Sequence, residues 1–504
     1  MKKIFALALG AMLAAMAVPA FAASPIEFEG YVKVFHESLS NFTRSDNAGF
    51  GGRNLGGQTG LDRDNFFENK LQISVTFRPN DQVSVFWQFR GPNYQRWGDS
   101  YGDQNTVNLY TRALYGEVVF PWGTIRGGRI VEGLAGTAGG LASLGYNPSW
   151  GSEFLYLNPF DGGDPVDSLT YTNKWDNGFG LAVYYVKQTS YWGWGSGNYP
   201  NVTPTPPLTA PSFNKDNDYD IFGIEGSYEW DGGGATLGVA YHRDMTDPAV
   251  ESNYAIFINP SIAQAWGPFA IHFEANIAWG EQTESRLLAN IAATDENKFK
   301  GTGLGLYLDG VYTYDSGDIT LAAWFVDGTG YNADGTPERK SHDLVGLGDF
   351  APFLVAFNRV TLGTGVFSNN FTNRSGLGGD PRFDSNDIDE NLNNMWGIAF
   401  LGNHEITPDI KLNYGIGYFR LVEPGWKVDS ASGGYYGRYE GKKDLGWEID
   451  LGATFQILDN LSFETQFGYM FNGGAYDINV LGSGNGWNSA KDTFAWANVL
   501  AFTF

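Results

Sequence analysis

No cysteine occurs among the 504 residues, which excludes a disulfide framework and any metal centre built on thiolates. Beyond residue 22, no apolar stretch approaches the ~20 residues that a membrane-spanning helix needs. If this chain crosses a bilayer, it must do so as a closed sheet. Positive charge is scarce: 32 Lys and Arg stand against 56 Asp and Glu, for a formal net charge of −24 at pH 7. That balance excludes nucleic acid as a partner and draws cations toward any cleft the chain lines. Histidine is also sparse, with only His36, His242, His272, His342 and His404. None lies in a nucleophile motif and no G-x-S-x-G elbow appears, so the constellation a hydrolase needs is missing. The expectation is a protein that is not an enzyme. His272 and Glu274, two apart on one strand face, read as polar filling in preference to a metal or acid–base pair.

What is present points one way. Aromatic residues make up 16% of the chain and glycines number 68, yet mean hydropathy is only −0.26. Strands that are apolar on one face and polar on the other, with aromatic rims and polar loops, give this mixture. Lys2 and Lys3 precede the apolar run Ile4 to Val18, and Ala20-Phe21-Ala22 is an A-x-A cleavage site. Residues 1–22 therefore read as a cleaved export signal, leaving 23–504 as a single domain. Cleavage removes two lysines and no acid, so the mature chain is more acidic still.

Period-2 alternation then runs through the chain in hairpins. Leu71, Ile73, Val75 and Phe77 alternate with Lys70, Gln72, Ser74, Thr76 and Arg78, turn at Pro79-Asn80-Asp81, and return through Val83, Val85, Trp87 and Phe89. The same pattern flanks Asp176-Asn177-Gly178 and Asp231-Gly232-Gly233-Gly234. Late in the chain, Leu445, Trp447, Ile449, Leu451 and Phe455 alternate with Asp444, Glu448, Asp450, Thr454 and Gln456. Short turns take turns with long Gly-, Asn-, Asp- and Pro-rich segments such as 189–218 and 327–393. This asymmetry predicts an all-β, antiparallel up-and-down transmembrane barrel with short periplasmic turns and long external loops. About eighteen strands are counted, or sixteen if the hairpin at Tyr254 to Gly280 or at Gly123 to Ile130 is misread.

The last segment, Thr493 to Phe504, alternates Phe494, Trp496, Leu500, Phe502 and Phe504 with small residues. It resembles the targeting signature of Gram-negative outer-membrane proteins, which implies that assembly machinery reads Phe504. The stretch Thr106 to Lys187 resembles the general trimeric porins. It holds the strand Asn108 to Phe120, the turn Pro121-Trp122-Gly123, the Gly-Arg strand Thr124 to Arg129, the segment Ile130 to Asp167, and a further hairpin. The acidic, Trp-rich layout is also similar to the homotrimeric porins of sulfate-reducing bacteria.

The resemblance implies an outer-membrane porin, homotrimeric, set in lipid and lipopolysaccharide and passing small hydrophilic solutes and ions by passive diffusion. It implies that 130–167 folds inward as a constriction loop. Acidic Glu132, Glu153, Asp161 and Asp164 on that loop would face a basic wall. Strand alternation puts Lys70, Arg78, Arg90, Arg112 and Arg126 on that wall. It also puts Glu274, Glu448, Asp450 and Glu464 on lumen faces with few basic partners beyond Lys411, which predicts cation preference. No cofactor or metal is expected. Acidic runs at 214–220 and 384–390 offer oxygen ligands for Ca²⁺ without the spacing of a defined calcium loop. The rival reading is a substrate-specific, sugar-type channel of eighteen strands, its aromatic track capped by Tyr191, Trp192 and Trp194. A loop-borne receptor or adhesin is less well supported, since strands begin almost at once at Ile26.

Overall fold

Strands that alternate apolar and polar residues can cross lipid only when the sheet they form has no free edge. The computed structural model describes residues 26–40, 63–96, 110–130, 166–188, 219–244, 253–283, 298–328, 340–341, 353–354, 394–423, 427–429, 434–436, 443–474, 478–479, 487–488 and 492–504. Within them, eighteen antiparallel strands close into one ring. They are β1 Ile26–Ser40, β2 Arg63–Asn80, β3 Val83–Arg96, β4 Tyr110–Phe120, β5 Gly123–Ile130 and β6 Val166–Lys174. Next come β7 Phe179–Gln188, β8 Tyr219–Trp230, β9 Gly233–Asp244, β10 Asn253–Trp266, β11 Phe269–Thr283 and β12 Lys298–Tyr314. The ring is completed by β13 Gly317–Val326, β14 Met395–Thr407, β15 Ile410–Leu421, β16 Asp444–Leu458, β17 Leu461–Asn472 and β18 Thr493–Thr503. Each strand pairs with the next, and β18 returns to β1 with Tyr31 opposite Thr503 and Ser40 opposite Phe494. The hairpins at 123–130 and 254–280 both form, so the strand number is eighteen and not sixteen. Residues 1–22 lie outside the described residues.

Local chemistry sets the short turns. The Asn80 side-chain oxygen accepts from the backbone N–H groups of Gln82 and Val83, both at 2.9 Å. Gly178 and Gly232 take φ of 88° and 75°, a left-handed conformation that tight hairpins need and other residues resist. The strand ends that bound the long connections lie at the opposite rim. The first and last strands meet at the short-turn rim, where Gly30 and Phe504 exchange backbone hydrogen bonds at 2.9 and 3.0 Å.

Gly30 also makes room for the terminal ring: a Cβ there would stand 2.7 Å from a ring carbon of Phe504. Gly30→Val is expected to lever Phe504 off β1 and lower barrel stability by about 1–3 kcal/mol. Urea titration of the folded, heat-modifiable gel band reads this out, and an unchanged midpoint would refute it.

The outward faces carry an apolar band. Leu169, Ile224, Leu237, Leu308, Leu321 and Leu451 all stand half exposed or more. At the short-turn rim, Phe179 packs on Tyr228 at 4.6 Å and Phe269 on Tyr312 at 4.8 Å across strands, and Phe120 stacks on the turn residue Trp122 at 4.7 Å. Toward the other rim, Tyr185 packs on Phe222 at 5.0 Å and Tyr418 on Trp447 at 4.8 Å. An even-stranded closed barrel with this band, two aromatic rims and one-sided short turns is a protein of the Gram-negative outer membrane.

The inward faces depart from simple alternation at one strand. Alternation groups Leu445 with the outward set, but the structure turns it inward and buries it fully. The cause is a register shift between β15 and β16, where Phe419 pairs with Gly446 but Arg420 pairs with Asp444. Gly446 absorbs the irregularity at φ 114°, as a bulge glycine does. One further piece lies inside the ring. Phe353 and Leu354, from the connection between β13 and β14, pack among the buried inward side chains.

Candidate functional site: the barrel lumen

The inward side chains of β1 to β4 build a basic ladder. Lys33, Arg90 and Arg112 are buried within the barrel, and the ladder is organised by a neutral amide. The Gln72 Oε1 atom accepts from Arg90 Nε at 3.1 Å and Nη2 at 2.8 Å, from Arg112 Nη1 at 3.4 Å and from Tyr31 Oη at 3.3 Å. Arg112 also donates to Gln88 Oε1 at 3.3 Å, and Gln88 Nε2 donates to Ser74 Oγ at 3.1 Å. Arg112 joins the ladder because of a register shift. Gln88 pairs with Ala113 and Phe89 with Thr111, which leaves Arg112 as the extra residue of β4. An amide oxygen thus accepts from two guanidinium groups and brings them close together.

The other basic residues named from sequence stand apart. Arg126 pairs with Glu117 through contacts of 2.7 and 3.0 Å and lies over the Tyr115 ring at 4.8 Å. Arg78 pairs with Glu27 at the short-turn rim, where both are about half exposed. Each of these two is matched to an acid of its own. Lys70 stands opposite Lys33 in the β1–β2 register, and its side chain lies outside the described residues. So do Glu132, Glu153, Asp161 and Asp164, with the whole proposed loop from 131 to 165.

Glu274, Glu448, Asp450 and Glu464 all point into the barrel, but each is only 0–4% exposed. Two of them have identifiable neighbours. Glu464 lies within Coulombic reach of Lys33, two strands away across β18. Asp450 accepts the backbone N–H of Leu354 at 2.8 Å and has Glu448 within hydrogen-bonding reach. A buried carboxylate is tolerated only when cations or donors replace its water.

Halfway round an eighteen-strand ring from β3 stands β12. There Asp309 accepts from Tyr307 Oη at 2.7 Å and lies 3.6 Å from His272 Nδ1. Glu274 stands opposite Tyr307 in the β11–β12 register. The acids of β11 and β12 thus stand on the opposite side of the ring from the basic ladder.

Sequence reasoning missed Lys33, Gln72 and Asp309. Lys33 had a signal, since Tyr31, Lys33 and Phe35 share the inward parity of β1. Among the described residues, no three His, Cys, Asp or Glu side chains converge as a metal-ligand set.

No protein-family model matches the chain, and no curated protein sequence does. Solved structures align with it over most of its length. The anion-selective porin from Comamonas acidovorans is 10% identical, with 95% of this chain and 100% of that one covered and a TM-score of 0.39. OccK8 (OprE) of Pseudomonas aeruginosa is 9% identical, with 95% and 98% covered and a TM-score of 0.47. OccK2 (OpdF) of Pseudomonas aeruginosa, solved in complex with glucuronate, is 8% identical, with 95% and 98% covered and a TM-score of 0.48.

Proposed function

We propose that this protein is a porin, a passive diffusion channel for small hydrophilic solutes and ions, working without catalysis or cofactor. The observation that carries the reading is an eighteen-strand closed ring whose inner wall bears opposed charged ladders. Rings of this strand number enclose a lumen wide enough for water. The net charge of −24 supports cation preference at the mouths, where loop charge concentrates counter-ions. A substrate-specific channel is the second reading, supported by the burial of the ladder and of the facing acids, which points to a narrow, lined path.

Homotrimerisation belongs to the proposal too. On the outward face, Thr465 stands opposite Asn498, and Asn498 opposite His36, across β17, β18 and β1. Asn498 Nδ2 lies 2.9 Å from His36 Nδ1, and Trp496 Nε1 donates to Thr465 Oγ1 at 3.0 Å. Polar groups facing lipid are costly, and a neighbouring copy over this row would cover them. A native mass of three chains is the expected result.

Planar-bilayer conductance of the purified protein under a KCl gradient tests the function. Large ohmic steps with a cation-sided reversal potential support the diffusion pore with its acidic mouths. Small steps blocked by a single solute favour the specific channel. Absence of any conductance refutes both.

A further inference from the structure

The inner wall around β13 to β17 is not the wall of an open pore. Its inward residues include Val326, Met395, Leu401, Phe419, Leu421 and Leu445, all fully or almost fully buried. Apolar groups facing a water-filled lumen gain nothing unless something packs on them, and Phe353 and Leu354 pack on this wall at Phe419, Gly415, Gly417 and Gly468. The Phe353 ring meets Phe419 edge-on at 5.2 Å. Three glycines hollow the wall beneath the pair. A Cβ on Gly417 would fall 2.5 Å from a Phe353 ring carbon, and one on Gly415 would fall 3.2 Å from another. A Cβ on Gly468 would fall 3.1 Å from the Cβ of Leu354. The seat is closed by Asp450, near the middle of β16, whose Oδ2 accepts the Leu354 backbone N–H at 2.8 Å. Side-chain packing, a fitted hollow and a buried hydrogen bond all act on the same two residues.

We propose that Phe353 and Leu354 form a constriction seated on the β15–β17 wall, and that Asp450 is its positioning residue, not a selectivity charge. The proposal rests on the channel reading and assigns part of its size limit. A carboxylate spent on a backbone N–H and covered by Leu354 contributes little field to passing ions. Removing it frees the constriction instead.

The test separates those roles. Asp450→Asn keeps an acceptor oxygen and loses the charge, whereas Asp450→Ala loses both. Asp450→Ala and Phe353→Ala are expected to raise single-channel conductance about twofold or more while the reversal potential stays put. Asp450→Asn is expected to leave both unchanged. If Asp450→Asn and Asp450→Ala instead shift the reversal potential alike at constant conductance, Asp450 is a selectivity charge and the proposal fails. A second readout does not need conductance. The chain has no cysteine, so Leu354→Cys provides a single thiol and retains the backbone N–H. That thiol should react slowly with a water-soluble maleimide in outer-membrane vesicles, and rapidly once Asp450→Ala is added. Equal, fast labelling in both backgrounds overturns the seat. A wild-type protein that does not conduct but protects the thiol refutes the channel and keeps the seat. Heat-modifiable gel mobility confirms that each variant is folded.

Discussion

Replacing Lys33 by Met should destabilise the barrel by about 1–2 kcal/mol, the cost of leaving the buried Glu464 carboxyl without the cation whose charge reaches it. Lys33 and Glu464 are 7% and 4% exposed and within Coulombic reach of one another. They sit on β1 and β17, with only β18 between them. The Met side chain fills much of the space of the lysine stem, so lost packing contributes little. What remains is a carboxyl group in a covered wall without the charge of Lys33. The companion variant makes the argument strict. Lys33→Met combined with Glu464→Leu removes both groups, and its stability should return to the parent's within ~0.5 kcal/mol, because neither buried polar group is then left uncompensated. Urea titration in detergent, followed by tryptophan fluorescence, measures both. If the single variant loses less than ~1 kcal/mol, or the double variant is as damaged as the single, the two groups are not a coupled buried pair.

That pair also marks where sequence stops being informative. Alternation gives faces, and turn residues give hairpins, so the barrel, its one-sided short turns and its outer band were all legible. The eighteen strands followed once the hairpins at 123–130 and 254–280 were accepted. Partnership between distant strands was not legible in the same way. Glu464 meets Lys33 only because the ring closes through β18. Irregularities hide too. Leu445 reads as outward until the register shift at Gly446 turns it in. Arg112 owes its place against Gln72 to a second shift, between β3 and β4. Neither shift leaves a periodic trace, because each is one extra residue in an otherwise regular run. Phe353 and Leu354 carry no periodic signal at all. Their position follows from a hollow made of Gly415, Gly417 and Gly468 on strands far from them in the chain.

Neutralising the ladder with Arg90→Gln and Arg112→Gln together should move the reversal potential toward cations, with the K⁺ to Cl⁻ permeability ratio rising about fivefold at low salt. The two guanidinium groups are held on one amide oxygen of Gln72, so they act from nearly the same place and their fields add. Glutamine preserves hydrogen-bonding capacity and much of the side-chain length, which keeps the effect electrostatic. Salt provides the internal check. At 0.1 M the screening length is about 10 Å and at 1 M about 3 Å, so the shift should shrink steeply as both chambers are raised. A change in pore shape would persist at high salt. Arg78→Gln is the control, because Arg78 is half exposed at the rim and already paired with Glu27, where water and the partner screen it. It should move the reversal potential by no more than about a quarter as much. If Arg78→Gln matches the double variant, the selectivity field lies at the short-turn mouth and the ladder is structural. If neither moves it, the current bypasses β2 to β4 altogether, and ions cross the lumen along the side of β11 and β12, where Glu274 and Asp309 stand.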